Sequence, residues 1–170
     1  MTSISVRNMT YAAFFAALTA VCSWISLPVA DIAFTMQTFA VFLTLGLLGG
    51  KWGTVSILIY LLLGSVGMPV FSGFRGGIGM LAGVTGGYLW GFLVSGLVYW
   101  MLERFGKLPA MALAMTACYL CGSLWFALYS GGGFGLILAR CVLPYLIPDG
   151  VKIWLAYGLC KRLRKFIPKT

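Results

Sequence analysis

The chain runs from Lys107 to Arg140 without a charged side chain between them, and from Arg7 to Lys51 with Asp31 alone. Apolar runs of that length suit a bilayer, where no water meets the backbone and each segment must pair its own N–H and C=O groups, which a helix does. A hydrophobic fraction of 61% and a charged fraction of 9% lie well outside the averages of soluble domains. At about 20 apolar residues per crossing, the chain accommodates six spans, at about 9–27, 36–50, 53–68, 84–102, 109–129 and 149–163. The expectation is an all-α, polytopic membrane protein: one compact bundle of six transmembrane helices occupying residues 1–170, with no soluble domain. The first run lacks a small-residue cleavage site and reads as the first membrane helix, not as a removed leader.

Charge then sets the orientation. Twelve Lys and Arg stand against three acids. With six spans, Arg7, Lys51, Arg104, Lys107 and the terminal basic residues fall on one side, and Arg75, Arg140 and Lys152 on the other, which places both termini in the cytoplasm. The run KRLRK at 161–165 accordingly anchors the chain against lipid headgroups, and nucleic acid is not expected as a partner.

Spans two and three are joined by little more than Gly49-Gly50-Lys51-Trp52. The outer connections, at 29–35, 69–83 and 130–149, are longer and apolar, and two of them are broken by glycine or proline. Irregular backbone at membrane depth persists only where protein or a cavity covers it, so these segments are expected to roof a cavity; short interfacial helices are the alternative. Small residues also recur every four positions: Ala12, Ala16 and Ala20 beside Ala13 and Ala17 in the first helix, and Gly83, Gly87, Gly91 and Ser95 in the fourth. Such rows allow helix backbones to approach closely. The alanine face is expected to dock another membrane protein, with packing inside the bundle as the competing reading.

Several chemistries are excluded. LLGGKW at 47–52 lacks the Ser or Thr of a phosphate-binding loop, and leucine stands at 45 where its first glycine belongs, so the chain carries no ATPase of its own. Three carboxylates, no histidine and no GxSxG elbow leave no basis for an enzyme. Cys118 and Cys121 form a CxxC without a second such pair, so no metal site and no cofactor are expected.

What needs explaining is LPYLIPDGVKIW at 143–154. Following Pro148, Asp149 is expected to be the N-cap of the last helix, with Lys152 in its first turn, on the unfavourable side of the helix dipole. An ion kept at the membrane edge at a cost marks a functional site. A bound anion answers for it, with Lys152 supplying charge and Asp149 accepting from the ligand's donors. Arg75 in the glycine-rich outer loop, Phe34 and Phe39 with Gln37 between them in FTMQTF, and TGGY at 85–88 with its N–H groups and the Tyr88 ring are the further candidates. Together they describe a pocket for a small amphipathic anion.

The ordered set FTMQTFAVFL, LLLGSVGMPVFSGFRGGIGMLAGVTGGYLWGF and VLPYLIPDGVKIWLA resembles the biotin-specific substrate-capture (S) components of energy-coupling factor (ECF) transporters, the BioY family, over nearly the whole chain. The resemblance implies a six-helix fold in a bacterial cell membrane and biotin as transported ligand, captured from outside. It also implies partnership with a transmembrane scaffold subunit and two cytoplasmic ATPases. The chain departs from the family's GPTGGY in having Val84 where the proline stands. By resemblance the ligand role passes first to Asp149, Lys152 and Arg75, and after them to Gln37, Phe34, Gly77, Gly87 and Tyr88. Other readings are a capture subunit for a different small anionic vitamin, a stand-alone ion-coupled carrier, and an intramembrane enzyme.

Overall fold

The computed structural model describes residues 6–28 and 33–165; Asp31, read as a charge of the first outer loop, lies outside them. The order is α1 (Val6–Trp24), β1 (Ser26–Pro28), β2 (Ala33–Thr35), α2 (Gln37–Ser65), α3 (Ile78–Ala82), α4 (Gly86–Leu102), a 3-10 turn (Glu103–Phe105), α5 (Lys107–Ser130), α6 (Phe134–Cys141) and α7 (Leu143–Leu163). The all-helical membrane bundle is there, with one addition. Pro28 disfavours the helical conformation for the residue before it, and the chain leaves α1 as an antiparallel ribbon pairing Leu27 with Phe34.

The second and third expected spans form α2, which is folded on itself. Gly49 breaks it with φ 77° and ψ 172°, a conformation natural to glycine alone. Gln37 Nε2 lies 3.0 Å from Tyr60 Oη, whereas 23 residues of straight helix would hold them roughly 35 Å apart. The expected turn at 49–52 is thus a break at one residue, with the second leg starting at Gly50. Two ionic side chains from the α4–α5 corner hold it: Glu103 Oε2 accepts from Gly50 N at 3.0 Å, and Lys107 Nζ donates to the Gly46 carbonyl at 2.6 Å. Each serves a backbone group that the break leaves without a helical partner.

The small-residue row of the fourth helix packs inside the molecule. A Cβ on Gly87 would enter the Trp125 side chain and one on Gly91 would meet Cys118, while Ser95 Oγ donates to the Ala114 carbonyl at 2.8 Å. These are contacts of α4 with α5. The alanine row requires a correction. Ala12, Ala16 and Ala20, expected to dock a partner, are 0%, 1% and 6% exposed. They are turned inward, and Ser56 Oγ of the second leg of α2 donates to the Ala12 carbonyl at 2.8 Å. The adjacent Ala13 and Ala17 are the exposed pair. Both rows are equally smooth; the inner one shares its face with Phe15, Thr19 and Ser23 and meets the Ser56 hydroxyl.

The last helix also differs from expectation. It begins at Leu143 and contains Pro148, so Asp149 is not an N-cap, and Lys152 lies in the helix interior away from the positive end of the dipole. Pro144 falls within the first turn, where no intrahelical N–H is needed. Pro148 leaves only the carbonyl four residues back without its donor, a defect membrane helices tolerate. The segment expected as a loop before Asp149 is α6, bent by 47° from α7. By length and composition two described helices can cross a membrane, 37–65 and 107–130, or three if α6 and α7 form one broken span. The folding of α2 divides the first of these into two shorter legs.

Candidate functional site

A cavity of about 480 Å³ opens at the end of the bundle away from the Gly49 break. Its wall is made by the ribbon, the segment following α2, the start of α4, the middle of α5 and the Pro148 region of α7. Of the outer segments, Phe71, Ser72, Gly73 and Arg75 of the stretch after α2 and Met80 of the short helix α3 line it. Phe71, in the first of them, is fixed by an edge contact with Tyr60, ring centroids 5.5 Å apart, and by its N–H on the Arg75 carbonyl at 2.9 Å.

Asp149 and Lys152 stand in the floor, 5% and 4% exposed. Lying three residues apart on one helix face, they form an ion pair of 2.7 Å between Lys152 Nζ and Asp149 Oδ1. Lys152 Nζ also donates to the Thr35 carbonyl at 2.6 Å and lies 3.7 Å from the centroid of the Phe34 ring, a cation–π contact within the usual reach. Asp149 Oδ2 accepts from Tyr119 Oη at 2.7 Å. The pair therefore ties α7 to the ribbon through the lysine and to α5 through the aspartate. Each charge has its partners, which is the condition for tolerating ions away from water.

Of the other expected ligand residues, Arg75, Gln37, Phe34 and Tyr88 join the pair in the cavity wall. Arg75 is exposed at the mouth. Gln37 is buried, and Tyr88 Oη lies 3.4 Å from Ser123 Oγ. Gly77 and Gly87 are not among the lining residues. Gly77 starts α3 with φ 99° and donates its N–H to the Gly64 carbonyl at 2.7 Å, and Gly87 makes room for Trp125. Arg140 is exposed on α6 and outside the wall.

Sequence reasoning missed Tyr119, Tyr60 and the Thr35 carbonyl. Tyr119 carried a signal, since a phenol in the middle of an apolar helix needs a hydrogen-bond partner and the acids of the chain are few. A backbone carbonyl carries none. The arrangement offers no nucleophile paired with a base and, among the described residues, no group of metal-ligating side chains. It can bind: a buried neutral ion pair below, the Arg75 cation at the mouth, without an acidic partner among the described residues, and aromatic rings between them suit a small amphipathic anion.

Comparison with known proteins gives a consistent result. The chain matches the BioY family model over residues 1–169. It is 35% identical over 161 residues to the "Probable biotin transporter BioY" of Pyrococcus horikoshii, covering 95% of this chain and 98% of that protein. It is 34% identical over 158 residues to "Biotin transporter BioY2" of Lactococcus lactis, covering 89% and 87%. The crystal structure of the S-component for biotin from an ECF-type ABC transporter superposes with a TM-score of 0.87 at 26% identity, covering 97% of this chain and 94% of that one.

Proposed function

Because the chain belongs to the BioY family, we propose that it is the biotin-capture subunit of an ATP-driven vitamin importer and that biotin occupies the cavity above Asp149 and Lys152. The buried pair is the observation that carries the reading. Two ions withdrawn from water bring little net stability compared with apolar residues of the same size, so their return lies in a ligand.

Charge assigns the orientation. Asp149 and Lys152 neutralise each other, while Arg75 has no acidic partner among the described residues. The valerate carboxylate therefore meets Arg75 at the mouth and the bicyclic ring enters first. Its ureido carbonyl accepts from the Lys152 ammonium in the floor, and its thioether ring packs on Phe34, Tyr88 and Phe92, which line the wall. Gly77 and Gly87 shape the wall without touching the ligand.

The work of transport comes from outside the chain, which has no nucleotide-binding loop. Counting α2 as two traverses and α6–α7 as one gives six, which sets both termini on the same side; the excess of basic residues there supports assigning that side to the cytoplasm of a bacterial cell and the cavity to the outer side. A transmembrane scaffold with two ATPases reorients the loaded bundle so that the cavity opens inward.

Uptake of labelled biotin by cells expressing the chain, with and without an energising module, tests this. Uptake is expected only with the module, to be lost in Lys152→Ala and retained in Arg140→Ala. Uptake with no module would favour an ion-coupled carrier, and competition by a different vitamin would reassign the ligand.

A further inference from the structure

Gln37 opens α2 with its side chain in the cavity wall and 4% exposure. Its amide has a donor end and an acceptor end, and the end facing the cavity decides what it can read on a ligand. The neighbouring hydrogen bonds settle which end that is. Tyr60 Oη lies 3.1 Å from the Val70 carbonyl, an oxygen that can only accept, so the phenol proton is directed there. Having one proton, Tyr60 Oη can then only accept from Gln37, 3.0 Å away, and the amide nitrogen must face the tyrosine. With the phenol proton on the Val70 carbonyl, a flipped amide would set two oxygens against each other with no proton between them. Gln37 Oε1 is left toward the cavity. It accepts no hydrogen bond among the described residues, nor is it one of the buried atoms sealed off without a partner. Both oxygens of Asp149, by contrast, are already engaged by Lys152 and Tyr119.

We propose that Tyr60, which does not line the cavity, is a positioning residue: by holding the Gln37 amide with its oxygen inward it makes the site select a ligand that presents an N–H donor beside its ring. For biotin that donor is a ureido N–H, so the inference rests on the biotin reading. The same Val70 carbonyl also accepts from Ser23 Oγ at 2.6 Å. Tyr60 therefore joins the outer segment at 70 to the start of α2, and Ser23 joins the same carbonyl to α1, so the orientation of the amide is built into the packing of the cavity's outer wall.

The test is the affinity ratio between biotin and its two N-methylated ureido derivatives, measured by titration on the purified full chain, its Tyr60→Phe variant and its Gln37→Met variant. The wild type is expected to prefer biotin over at least one derivative. Tyr60→Phe removes a single hydroxyl and leaves the Val70 carbonyl its bond from Ser23. It should lower the affinity for biotin about tenfold, the worth of one buried hydrogen bond, while leaving that for the derivative nearly unchanged, so that the ratio collapses. Gln37→Met should collapse the same ratio with Tyr60 intact. A fall in both affinities by the same factor marks a structural role only and overturns the proposal, as does a ratio preserved in Gln37→Met. A wild type that binds no biotin overturns the functional reading together with this one; a wild type that binds biotin with equal ratios in all three proteins overturns this one alone.

Discussion

Replacing Lys152 by methionine removes the ammonium and keeps most of the side-chain volume, leaving Asp149 buried with the Tyr119 hydroxyl as its remaining side-chain partner. At the 2.7 Å separation of the pair, and an effective dielectric constant of about 20, the gross attraction is about 6 kcal/mol. Desolvation of both ions opposes it, and loss of one member of such a pair typically costs about 3–5 kcal/mol because the other remains charged and unmatched. Asp149→Asn leaves the opposite orphan, a buried ammonium on the Thr35 carbonyl and the Phe34 ring. The double variant leaves none. Its stability should therefore fall by much less than the sum of the two single losses, to within about 1 kcal/mol of the wild type. Thermal unfolding in detergent of the four proteins forms the cycle, and biotin titration of the same samples separates folding from binding. All three variants should lose the ligand, although the double variant is nearly as stable as the parent. Additive destabilisation in the double variant would show that the two charges do not stabilise each other, and would refute the argument that the pair is a neutral floor kept for a ligand.

Three further outcomes follow from the packing. Ala16→Leu should destabilise by about 1–3 kcal/mol through overpacking against α2, whereas Ala17→Leu on the exposed side should leave the melting temperature in detergent unchanged; equal effects would contradict the inward placement of the row. Gly87→Leu drives a side chain into Trp125 and should lower the melting temperature by parting α4 from α5, and an unchanged value would mean that the two helices are not in contact there. Glu103→Gln and Lys107→Met each weaken one hold on the Gly49 break, worth about 1 kcal/mol apiece, and both should keep wild-type biotin affinity because they lie at the opposite end of the bundle; a large loss of affinity would connect the two ends.

Asp149 and Lys152 were legible in the sequence because an acid and a base three residues apart in an apolar run have little reason to be there except together. Their setting was not legible. Pro148 suggests the start of a helix, and the helix instead begins five residues earlier because a bilayer offers the backbone no better partner than itself. The small residues revealed where helices meet but not what they meet: the glycine row found α5, and the alanine row found α2 in place of an outside partner. Nothing in an alanine distinguishes the inner row from the outer one; the hydroxyl that meets the inner row, on Ser56, stands more than forty positions along the chain. The break in α2 was visible as a glycine pair, while its two ionic holds come from a corner that local patterning does not connect to it. In the cavity, Arg75, Gln37, Phe34 and Tyr88 could be gathered because polar and aromatic residues in outer segments are few. Tyr60 and Tyr119 escaped because a tyrosine within an apolar helix reads as packing until its partner is known.

The claim on which the rest depends is that this cavity holds biotin through the buried pair. Isothermal titration of the purified chain with biotin, beside Asp149→Asn and Lys152→Met, tests it directly. The account predicts tight binding of one biotin per chain, lost in both variants. A folded wild-type protein that takes up no biotin, or variants that bind it as well as the wild type, would contradict it.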